Sequence, residues 1–355
     1  YLMEALSNFT TLKVGGPAQK IVHAHTEDEL VEFVKAADKA GEQVLILGGG
    51  SNLLISDAGF AGTVIRVESK GNALDYDACS GGMIEVSAGE DWDKFVALTI
   101  EKGFADLESL SGIPGTIGGA PIQNIGAYGH EVSEFITQIR TYDRQAKAIK
   151  TFTNQECEFS YRNSYFKSHP GRYAVIEVQF QLRIGVETTP ITYAELATKL
   201  EIAVGEKALV TATRKAVLEL RAAKGMLLNP SDRDSWSAGS FFTNPIVSAE
   251  VAATLPEGAP RWPQADGRIK TSAAWLIENS GIHKGDAHGG ARVSTKHVLA
   301  LTNSGDATAS DIAELAKSAQ RAVYEKFGIT LEAEVNLIGI TVLKMYLIDL
   351  PVSTF

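Results

Sequence analysis

The chain of 355 residues is 45% hydrophobic and 21% charged, as is typical of globular proteins with ample core material, and its length predicts two or three domains. Its net charge of −10 at pH 7 argues against a nucleic-acid or anionic-membrane partner. An anionic ligand would therefore need locally placed Arg and Lys side chains.

The two cysteines, Cys79 and Cys157, have neither the spacing of a disulfide framework nor that of a metal site. Reduced thiols are favoured over a single disulfide. The N-terminal residues lack the basic region and long apolar run of a signal peptide, and no segment is a transmembrane candidate. We therefore expect a cytoplasmic protein with no metal site, no nucleic-acid partner and no membrane association.

The first predicted elements are a β-α-β unit followed by a glycine cluster. A strand is expected over residues 20–25, and Thr26-Glu27-Asp28-Glu29 is a capping box that begins a helix. The apolar strand Val44–Leu47 leads directly into Gly48-Gly49-Gly50-Ser51-Asn52. A strand that opens into glycines is a frequent phosphate cradle, but a dinucleotide fingerprint needs a helix next, and the strand-like Leu53–Ile55 follows instead. Neither a Rossmann site nor a P-loop is indicated.

The central segment Leu110–Gly129 contains six glycines, two prolines and no charged side chain. So much Gly and Pro cannot sustain a helix or a central strand, and the backbone groups that they free would lie unsatisfied in a membrane. We predict an irregular, largely buried loop. Its backbone either approaches a ligand closely or forms a glycine-rich structural crossover, and the segment alone does not decide between the two.

The remaining pattern predicts a mixed α+β fold. The further predicted elements are strands at residues 63–67 and 84–88, an amphipathic helix at 91–103, a hairpin from 135–142 and 148–152, a half-buried strand at Tyr173–Leu182, a helix at 210–224, a linker at 225–237, helices at 272–279 and 311–327, and a strand over 329–340.

The two neutral glycine loops resemble those of the UDP-N-acetylenolpyruvoylglucosamine reductase (MurB) family. The resemblance rests on Leu47–Asn52, on Ile113-Pro114-Gly115-Thr116-Ile117-Gly118-Gly119 and on Gln123-Asn124-Ile125-Gly126-Ala127-Tyr128-Gly129. It implies FAD, bound noncovalently because neither loop offers a His or Cys as a tether. The implied cofactor contacts are Gly48, Gly49, Gly50, Ser51, Asn52, Ile113, Pro114, Gly115, Thr116, Gly118, Gly126 and Ala127.

The resemblance also implies a domain organisation. An FAD-binding domain of the MurB/vanillyl-alcohol-oxidase type would comprise two lobes, residues 1–67 and 68–224. A C-terminal α+β substrate-binding domain would span residues 225–355, and its last strands can pack back on the first lobe.

The segment Cys157–Lys167 (CEFSYRNSYFK) is dense in donors and aromatic rings, which by themselves are typical of a solvated surface strand. It is similar to the family's C-x-F-x-Y-R-x-S-x-F-K, whose arginine contacts the enolpyruvyl carboxylate of the substrate. A guanidinium suits this role because it is permanently charged and matches a carboxylate with two hydrogen bonds. The resemblance therefore implies that Arg162 is a catalytic residue.

The segment Ala238–Pro245 (AGSFFTNP) places one serine before two aromatic residues, with no Ser-His-Asp pattern to suggest a nucleophile. It is similar to the family's G-S-F-F-x-N-P, where the serine donates a proton to carbon. The resemblance implies that Ser240 is the acid and that Asn244 contacts the substrate. Thr243 stands where the family often has Lys, which removes one charged contact.

In Leu331–Gly339 (LEAEVNLIG) the alternation predicts that Glu332 and Glu334 project from one face of a strand. Two exposed strand carboxylates are the plain interpretation. In the family's L-E-x-E-V the second glutamate is catalytic, which maps to Glu334. A neutral or hydrogen-bonded carboxyl there can stabilise the enolate-like carboxylate formed during reduction.

Two further substrate contacts are implied by the resemblance. Tyr193, in Pro190-Ile191-Thr192-Tyr193, matches the substrate-capping tyrosine of the family's first subtype, although a hairpin aromatic is the plain alternative. Lys224 follows Arg221 as in the family's R-x-x-K, but Gly225-Met226 replaces the usual Leu-Pro. We expect Lys224 to contact a phosphate.

Taken together, the resemblance implies a monomeric reductase that uses NADPH to reduce FAD and then converts UDP-N-acetylglucosamine enolpyruvate to UDP-N-acetylmuramate. If the protein were a related FAD-dependent oxidase, nothing would explain the presence of the segments around Ser240, Arg162 and Glu334. A non-catalytic flavin-binding module would be yellow but would not be bleached by NADPH.

Overall fold

A computed structural model describes residues 4–77 and 81–342 of the chain. Cys79 lies outside these residues, and Cys157 is a buried free thiol. Burial raises the pKa of Cys157 to about 12. Within the described residues no helix is both long enough and apolar enough to cross a membrane.

The secondary structure is mixed throughout. The strands are β1 Ala18–Ala24, β2 Val44–Leu47, β3 Leu53–Ile55, β4 Phe60–Val67, β5 Asn72–Asp77, β6 Gly81–Ser87, β7 Gly126–Ala127, β8 His130–Glu131, β9 Ile136–Asp143, β10 Ala148–Thr153, β11 Tyr173–Leu182, β12 Ser237–Ser240, β13 Ile246–Val247, β14 Trp262–Pro263, β15 Ile269–Lys270, β16 Ala287–His288, β17 Ala291–Val293, β18 Ala300–Asn303 and β19 Asn336–Ile338. The helices are α1 Glu27–Ala40, α2 Trp92–Glu101, α3 Ala120–Gln123, α4 Tyr165–Ser168, α5 Ala194–Lys199, α6 Val210–Ala223, α7 Ala249–Thr254, α8 Ala273–Glu278 and α9 Ala309–Phe327. Short 3₁₀ turns are Leu6–Phe9, Glu108–Leu110, Val132–Glu134, Gln155–Cys157 and Arg233–Ser235. The predicted α+β class is confirmed.

The described residues divide into two units. Unit 1 contains the described residues within Tyr1–Thr11, Pro17–Ser51 and Gly59–Leu228. Unit 2 contains the described residues within Leu12–Gly16, Asn52–Ala58 and Asn229–Phe355.

Unit 1 begins with the predicted β-α-β unit, which is part of a small parallel sheet in the order β1-β4-β2. Helix α1 begins after Thr26 as the sequence predicts, because the Thr26 hydroxyl accepts the Glu29 N–H at 3.2 Å. The other half of the predicted capping box differs, since the Glu29 carboxylate accepts the N–H of His25 at 2.7 Å. The later strand β4 lies between β1 and β2 and pairs in parallel with both. The adjacency of β1 and β2 along the chain therefore does not give their order in the sheet.

The second sheet of unit 1 is antiparallel in the order β10-β9-β11-β6-β5. Strand β11 has the predicted bounds and pairs with both β6 and β9. Helix α2 buries Trp92, Phe95 and Val96 on one face, and the Trp92 and Phe95 rings lie 6.1 and 5.2 Å from Phe180 of β11. The same core includes Leu110, Ile117 and Ala120 of the central glycine-rich segment.

Unit 2 has a separate core that is organised around helix α9. The Thr308 hydroxyl and the Asp311 carboxylate cap its N-terminus reciprocally, and Gly328 ends it at φ = 66°. Its buried face joins residues of α8 and of the four-stranded sheet β12-β18-β17-β16. Strands β3 and β19 pair in parallel within the same unit.

Two sequence predictions are wrong in detail. The central segment was expected to hold no helix, yet Ala120–Gln123 forms one turn, because Pro121 lies in the first turn, where its missing N–H is no loss. The strand expected over residues 329–340 is limited to Asn336–Ile338, with bends at Glu334 and Val335. The two glutamates therefore do not share one continuous strand face.

The turn between β9 and β10 is built around a buried carboxylate. Asp143 accepts the amides of Gln145 and Ala146 at 2.9 and 3.2 Å and two N–H groups of Arg172 at 3.1 and 2.7 Å. The Arg172 guanidinium is the main cause that lowers the pKa of Asp143, and the two amides add to it. The carboxylate thus ties the hairpin to Arg172, the residue that precedes β11.

We predict that Asp143→Asn lowers the free energy of unfolding by about 2 kcal/mol near neutral pH, because charge-assisted hydrogen bonds are lost. Since the folded pKa lies below the unfolded value, this stabilisation is present above about pH 4 and disappears as the pH falls through the folded pKa. Urea unfolding at several pH values measures it. Glu219→Gln, which breaks the exposed pair with Lys199, is the control and should lose less. An equal loss at pH 3 and pH 7 would contradict the assignment.

Candidate active site

The first glycine loop, residues 48–51, lies directly against the second, residues 113–119. A Cβ placed on Gly49 would lie 2.7 Å from the Cα of Gly115. The Ser51 hydroxyl donates to the Pro114 carbonyl at 2.8 Å. Because the Gly49 contact is with backbone that cannot rotate away, a side chain there would force the loops apart.

The neighbouring glycines are equally confined. A Cβ on Gly48 would lie 2.5 Å from the Thr116 hydroxyl, and one on Gly50 would lie 1.8 Å from the carbonyl oxygen of Phe9. Gly50 also has φ = 62°, a conformation that favours glycine. The glycine run after β2 is therefore required by the packing of the protein itself.

The second loop is held by backbone hydrogen bonds to the entry of α2. The Gly118 N–H donates to Ala88 at 2.8 Å, and the Trp92 N–H donates to Gly115 at 3.1 Å. Ile113 and Ala127, two further predicted cofactor contacts, are half-buried and pack against the core of unit 1. The loop that the sequence predicted as irregular is thus fixed in one conformation.

The start of this loop is tied to two helices by a charged group. The Asp93 carboxylate accepts the Gly112 N–H at 2.6 Å and two N–H groups of Arg214 at 2.6 and 2.9 Å. Burial alone would raise the pKa of Asp93, but the hydrogen bonds from Arg214 and Gly112 outweigh it and lower that pKa. The carboxylate is therefore held ionised where it anchors the loop.

The loops present backbone donors without any charge. Among the described residues, the amides of Gly48, Gly49 and Ser51 donate to no other protein group. Partly exposed N–H groups on neutral glycine backbone form a nest that suits anionic or carbonyl oxygens. The arrangement can bind the phosphates of a nucleotide cofactor.

Arg162 is brought to the second half of the central segment, within unit 1. It donates to the carbonyls of Asn124 at 3.3 Å and Gly126 at 2.7 Å, and its Nη1 lies 3.9 Å from a carboxylate oxygen of Glu131. Its side chain is 18% exposed, so the charge is largely enclosed. A predicted catalytic residue and a predicted cofactor contact, Gly126, are therefore in direct contact.

Tyr193 and Lys224 are also near the central segment. The rings of Tyr193 and Tyr128 meet edge to face at 5.5 Å, and Tyr193 is 42% exposed. The Lys224 ammonium pairs with Glu195 at 2.6 Å and lies 5.9 Å from the Tyr128 ring centre. Burial raises the pKa of Tyr193, and raises that of Tyr128 to about 12, so both phenols stay neutral.

In unit 2, Ser240 and Glu334 lie on adjoining backbone segments. Ser240 ends β12 opposite Ala300, and the next residue, Phe241, donates its N–H to Leu299 at 2.8 Å. On its other side the Phe241 carbonyl accepts the Glu334 N–H at 2.8 Å. A backbone hydrogen bond thus joins Glu334 to the residue that follows Ser240, so the segments that carry the two predicted catalytic residues adjoin.

Asn52 and Asn244 are held by backbone groups of the same unit. The Asn52 side chain donates to the Glu334 carbonyl at 3.3 Å, and its own carbonyl accepts the Asn336 N–H at 3.0 Å. Asn244 accepts the Ala273 N–H at 2.9 Å, at the start of α8. Asn52, predicted from the first glycine loop, therefore belongs with the Glu334 segment.

The predicted site residues fall into both units. Unit 1 contains the following residues: Gly48, Gly49, Gly50, Ser51, Ile113, Pro114, Gly115, Thr116, Gly118, Gly126, Ala127, Arg162, Tyr193 and Lys224. Unit 2 contains Asn52, Ser240, Asn244 and Glu334. No group of three or more His, Cys, Asp or Glu side chains within residues 4–77 and 81–342 could hold a metal ion.

Sequence reasoning missed the groups that support these residues. Asp93 and Arg214 are far apart along the chain, and no local pattern connects them. Asn124 was part of a recognised segment without a role, and the structure shows it fully buried at φ = 45°. An Asn followed closely by Gly is a signal for such a left-handed residue.

Two family models match the chain. A model for an FAD binding domain matches residues 18–151, and a model for the C-terminal domain of UDP-N-acetylenolpyruvoylglucosamine reductase matches residues 229–338. The first match includes both glycine loops. The unpaired amides of the first loop and the lack of charge in both fit the pyrophosphate of FAD. The chain is therefore an FAD-binding flavoprotein.

Full-length relatives define the family more closely. The reductase of that name from Cutibacterium acnes is 50% identical over 342 residues, which cover 95% of this chain and 90% of the relative. The Streptomyces avermitilis reductase is 47% identical over 94% of each chain. The crystal structure of the Thermus caldophilus enzyme superposes with a TM-score of 0.64 at 26% identity, covering 94% of this chain and 97% of that one. The chain belongs to the UDP-N-acetylenolpyruvoylglucosamine reductase family.

We predict that Gly49→Ala weakens FAD binding by about tenfold or more, because the added methyl group meets the Gly115 backbone and forces the two loops apart. The measurement is the ratio of flavin to protein after gel filtration. Acid precipitation should release all the flavin, since neither loop has a residue that could form a covalent link. Gly185→Ala is the control, because no atom lies within 4 Å of its added Cβ. Full flavin occupancy in the Gly49 variant would contradict the role of this contact.

Proposed function

We propose that this chain uses NADPH to reduce UDP-N-acetylglucosamine enolpyruvate to UDP-N-acetylmuramate, a step of peptidoglycan precursor synthesis. The observation that carries the proposal is the similarity to named reductases over nearly the whole chain, at 45–50% identity in seven of the relatives. Because it covers both the cofactor-binding part and the C-terminal part, it covers every segment from which we infer chemistry.

FAD, when bound, would supply the hydride chemistry between NADPH and the enolpyruvyl double bond of the substrate. Residues 48–51 and 113–118 would hold the cofactor, with Gly126 and Ala127 as further contacts. Asn52 completes the cofactor contacts from the end of the first glycine loop. Support comes from the three unpaired amides and from the absence of charge in both loops.

Arg162 binds the carboxylate of the enolpyruvyl group. Its planar guanidinium can give a carboxylate two parallel hydrogen bonds, and negative charge that builds up on the carboxylate during reduction is stabilised in place. Its partial enclosure strengthens this effect, since the side chain is 18% exposed. Glu334 acts on the same developing charge through a hydrogen bond.

Ser240 donates the proton that the substrate carbon needs after hydride transfer. A serine hydroxyl is a weak acid, so it serves only if the carbon is strongly basic and lies within hydrogen-bond reach. Support for pairing Ser240 with Glu334 comes from their adjoining segments, which share the hydrogen bond between Glu334 and Phe241.

Tyr193, Lys224 and Asn244 bind the nucleotide-sugar part of the substrate. Tyr193 is the substrate-capping tyrosine of the family's first subtype, and its exposed ring suits a residue that closes over a ligand. Lys224 neutralises a phosphate. The ammonium already pairs with Glu195 at 2.6 Å, so a phosphate would compete with that carboxylate for it.

We propose the domain roles with the predicted boundaries, although within the range 1–67 the segments Leu12–Gly16 and Asn52–Ala58 belong to unit 2. Residues 1–67 and 68–224 form the two lobes that bind FAD, and residues 225–355 form the substrate-binding domain. Support for these domain roles comes from the two family models, which match residues 18–151 and 229–338 separately. We further propose that the protein acts in the cytoplasm as a monomer.

The decisive experiment is anaerobic. The flavin is reduced with NADPH, and UDP-N-acetylglucosamine enolpyruvate is then added while the oxidised flavin absorbance is recorded. Recovery of the absorbance with formation of UDP-N-acetylmuramate supports the proposal. If the absorbance recovers only after oxygen is admitted, a related oxidase is favoured. If NADPH does not bleach the flavin, a non-catalytic binding module is favoured.

We predict that Ser240→Ala leaves NADPH reduction of the flavin near the parental rate but slows its reoxidation by the substrate at least a hundredfold, because general acid catalysis is worth ~10²–10⁴-fold. Ser240→Cys keeps a transferable proton and should recover part of the rate. Stopped-flow absorbance measures both steps. Ser237→Ala, which removes a hydroxyl from the same strand, is the control. If the Ser240→Ala variant reoxidises at the parental rate, the proton-donor assignment is wrong.

We predict that Tyr193→Phe weakens substrate binding by about fivefold to tenfold, the value of one hydrogen bond, while NADPH reduction of the flavin is nearly unchanged. The ring and its contact with Tyr128 remain, so only the hydroxyl is tested. Titration of the oxidised flavin spectrum with the substrate gives the dissociation constant. Equal losses in both half-reactions would show that the tyrosine is structural.

A further inference from the structure

The turn that carries Arg162 has a strained conformation. Arg162 has φ = 53°, which non-glycine residues rarely adopt, in a tight turn closed by two hydrogen bonds between Ser160 and Asn163 at 3.1 and 3.0 Å. Such strain persists only where surrounding contacts hold it, and it is concentrated at functional sites. The groups that hold this turn therefore decide where the guanidinium lies.

Asn124 is the main group on one side of the turn. It is fully buried, and its side-chain amide donates to the Ser160 carbonyl at 2.9 Å and to Glu131 at 2.8 Å. Its side-chain oxygen accepts the Ser133 N–H at 3.2 Å. Its backbone carbonyl accepts from Arg162 itself at 3.3 Å. One residue thus contacts both the turn and the guanidinium that the turn carries.

Lys167 holds the same turn from the other side. Its ammonium donates to the Arg162 carbonyl at 2.9 Å and to the Gln123 side chain at 3.1 Å. The Ser164 hydroxyl adds a bond to the Ile122 carbonyl at 2.8 Å. The turn is therefore fastened to residues 122–124 at successive positions.

Glu131 is the nearby anion that could compete for Arg162. One carboxylate oxygen is held by Asn124 at 2.8 Å, while the other is 3.9 Å from the Arg162 guanidinium. At 3.9 Å the two charges attract without a good hydrogen bond. The Glu131 side chain also accepts the Glu134 N–H. Asn124 and this N–H together keep Glu131 from forming a close ion pair with Arg162, which a substrate carboxylate would have to displace.

We propose that Asn124 is a positioning residue for Arg162, assisted by Lys167: it holds the strained turn in place and restrains Glu131. This inference rests on the proposed function for its kinetic consequence, but its structural consequence can be observed without substrate. Without the side chain of Asn124, the turn loses its bond at Ser160, and the Glu131 carboxylate keeps only the Glu134 N–H as a restraint against pairing with the guanidinium.

The main test uses Asn124→Gly, which keeps the left-handed backbone accessible and deletes only the side chain. We expect substrate-driven reoxidation of the flavin to lose about tenfold or more in kcat/KM, with NADPH reduction changed by less than about twofold. FAD occupancy should stay full. Asn154→Ala is the matched control, since that side chain also donates two hydrogen bonds, to Ser133 and Ile136, but does not contact the turn. It should leave both half-reactions unchanged.

A second pair of variants guards against simple misfolding. Lys167→Met removes the bond to the Arg162 carbonyl without touching Asn124, and it should give the same division between the half-reactions. Asn124→Asp places a second carboxylate against Glu131, where Asn124 donated a hydrogen bond, and should slow reoxidation of the flavin by the substrate. Adding Glu131→Gln restores a donor and an acceptor at this contact and should recover part of that rate. Equal losses in both half-reactions, or parental rates in the Asn124→Gly and Lys167→Met variants, would overturn the proposal.

A structural measurement separates this inference from the proposed function. In a crystal structure of Asn124→Gly we expect the turn at residues 160–163 to be displaced and Arg162 to pair closely with Glu131. An unmoved turn would overturn the proposal whether or not the enolpyruvyl substrate reacts. If the unsubstituted protein fails to reduce that substrate while the turn moves as expected, the positioning role stands and the proposed function falls.

Discussion

The constraint on which unit 1 depends is the direct approach of two pieces of backbone, at Gly49 and Gly115. A Cβ on Gly49 would lie 2.7 Å from the Cα of Gly115, so the two loops leave no room for a side chain at this position. This closeness requires glycine after β2, and the hydrogen bond from Ser51 to Pro114 joins the loops at a neighbouring point. The amides of Gly48, Gly49 and Ser51 remain unpaired beside this contact, with no charged residue in either loop.

The charged groups of unit 1 that bear on the site have specific partners. The loops that suit FAD are neutral, whereas Arg162 and Lys224 are each held by carbonyl or carboxylate groups. Asp93 is also paired, and its task is to fix the start of the second loop. A protein with a net charge of −10 can thus offer local positive charge to an anionic substrate without a basic surface.

Features encoded by local patterns were predictable from the sequence. The cap at Thr26, the bounds of β11 and the two glycine loops each depend on a few neighbouring residues, and the structure contains all three. The position of β4 between β1 and β2 was not predictable, because pairing in a parallel sheet is decided by contacts distant in sequence. For the same reason the partnership of Asp93 with Arg214 left no signal.

The site was predictable only in part. Arg162, Ser240 and Glu334 were identified through segments that resemble a family, but the way they are held was not. The bends at Glu334 and Val335 break the alternation that suggested a continuous strand, because hydrogen bonds with Phe241 and Asn52 shape this segment. The left-handed Arg162 had no signal in its own residue type, and Asn124, the main residue that holds its turn, comes from a different part of the chain.

The discontinuity of unit 2 has a consequence for biosynthesis. Strand β3, whose Leu54 is fully buried in the core of that unit, emerges from the ribosome early, whereas its partner β19 is among the last elements to appear. The residues of unit 1 are complete by Leu228, so its core can form while most of unit 2 is still untranslated. Until β19 has been synthesised, β3 remains an apolar strand with an unpaired edge, which is a template for association with other chains. Nascent chains should therefore depend on chaperones most strongly between the completion of unit 1 and the synthesis of residues 336–338.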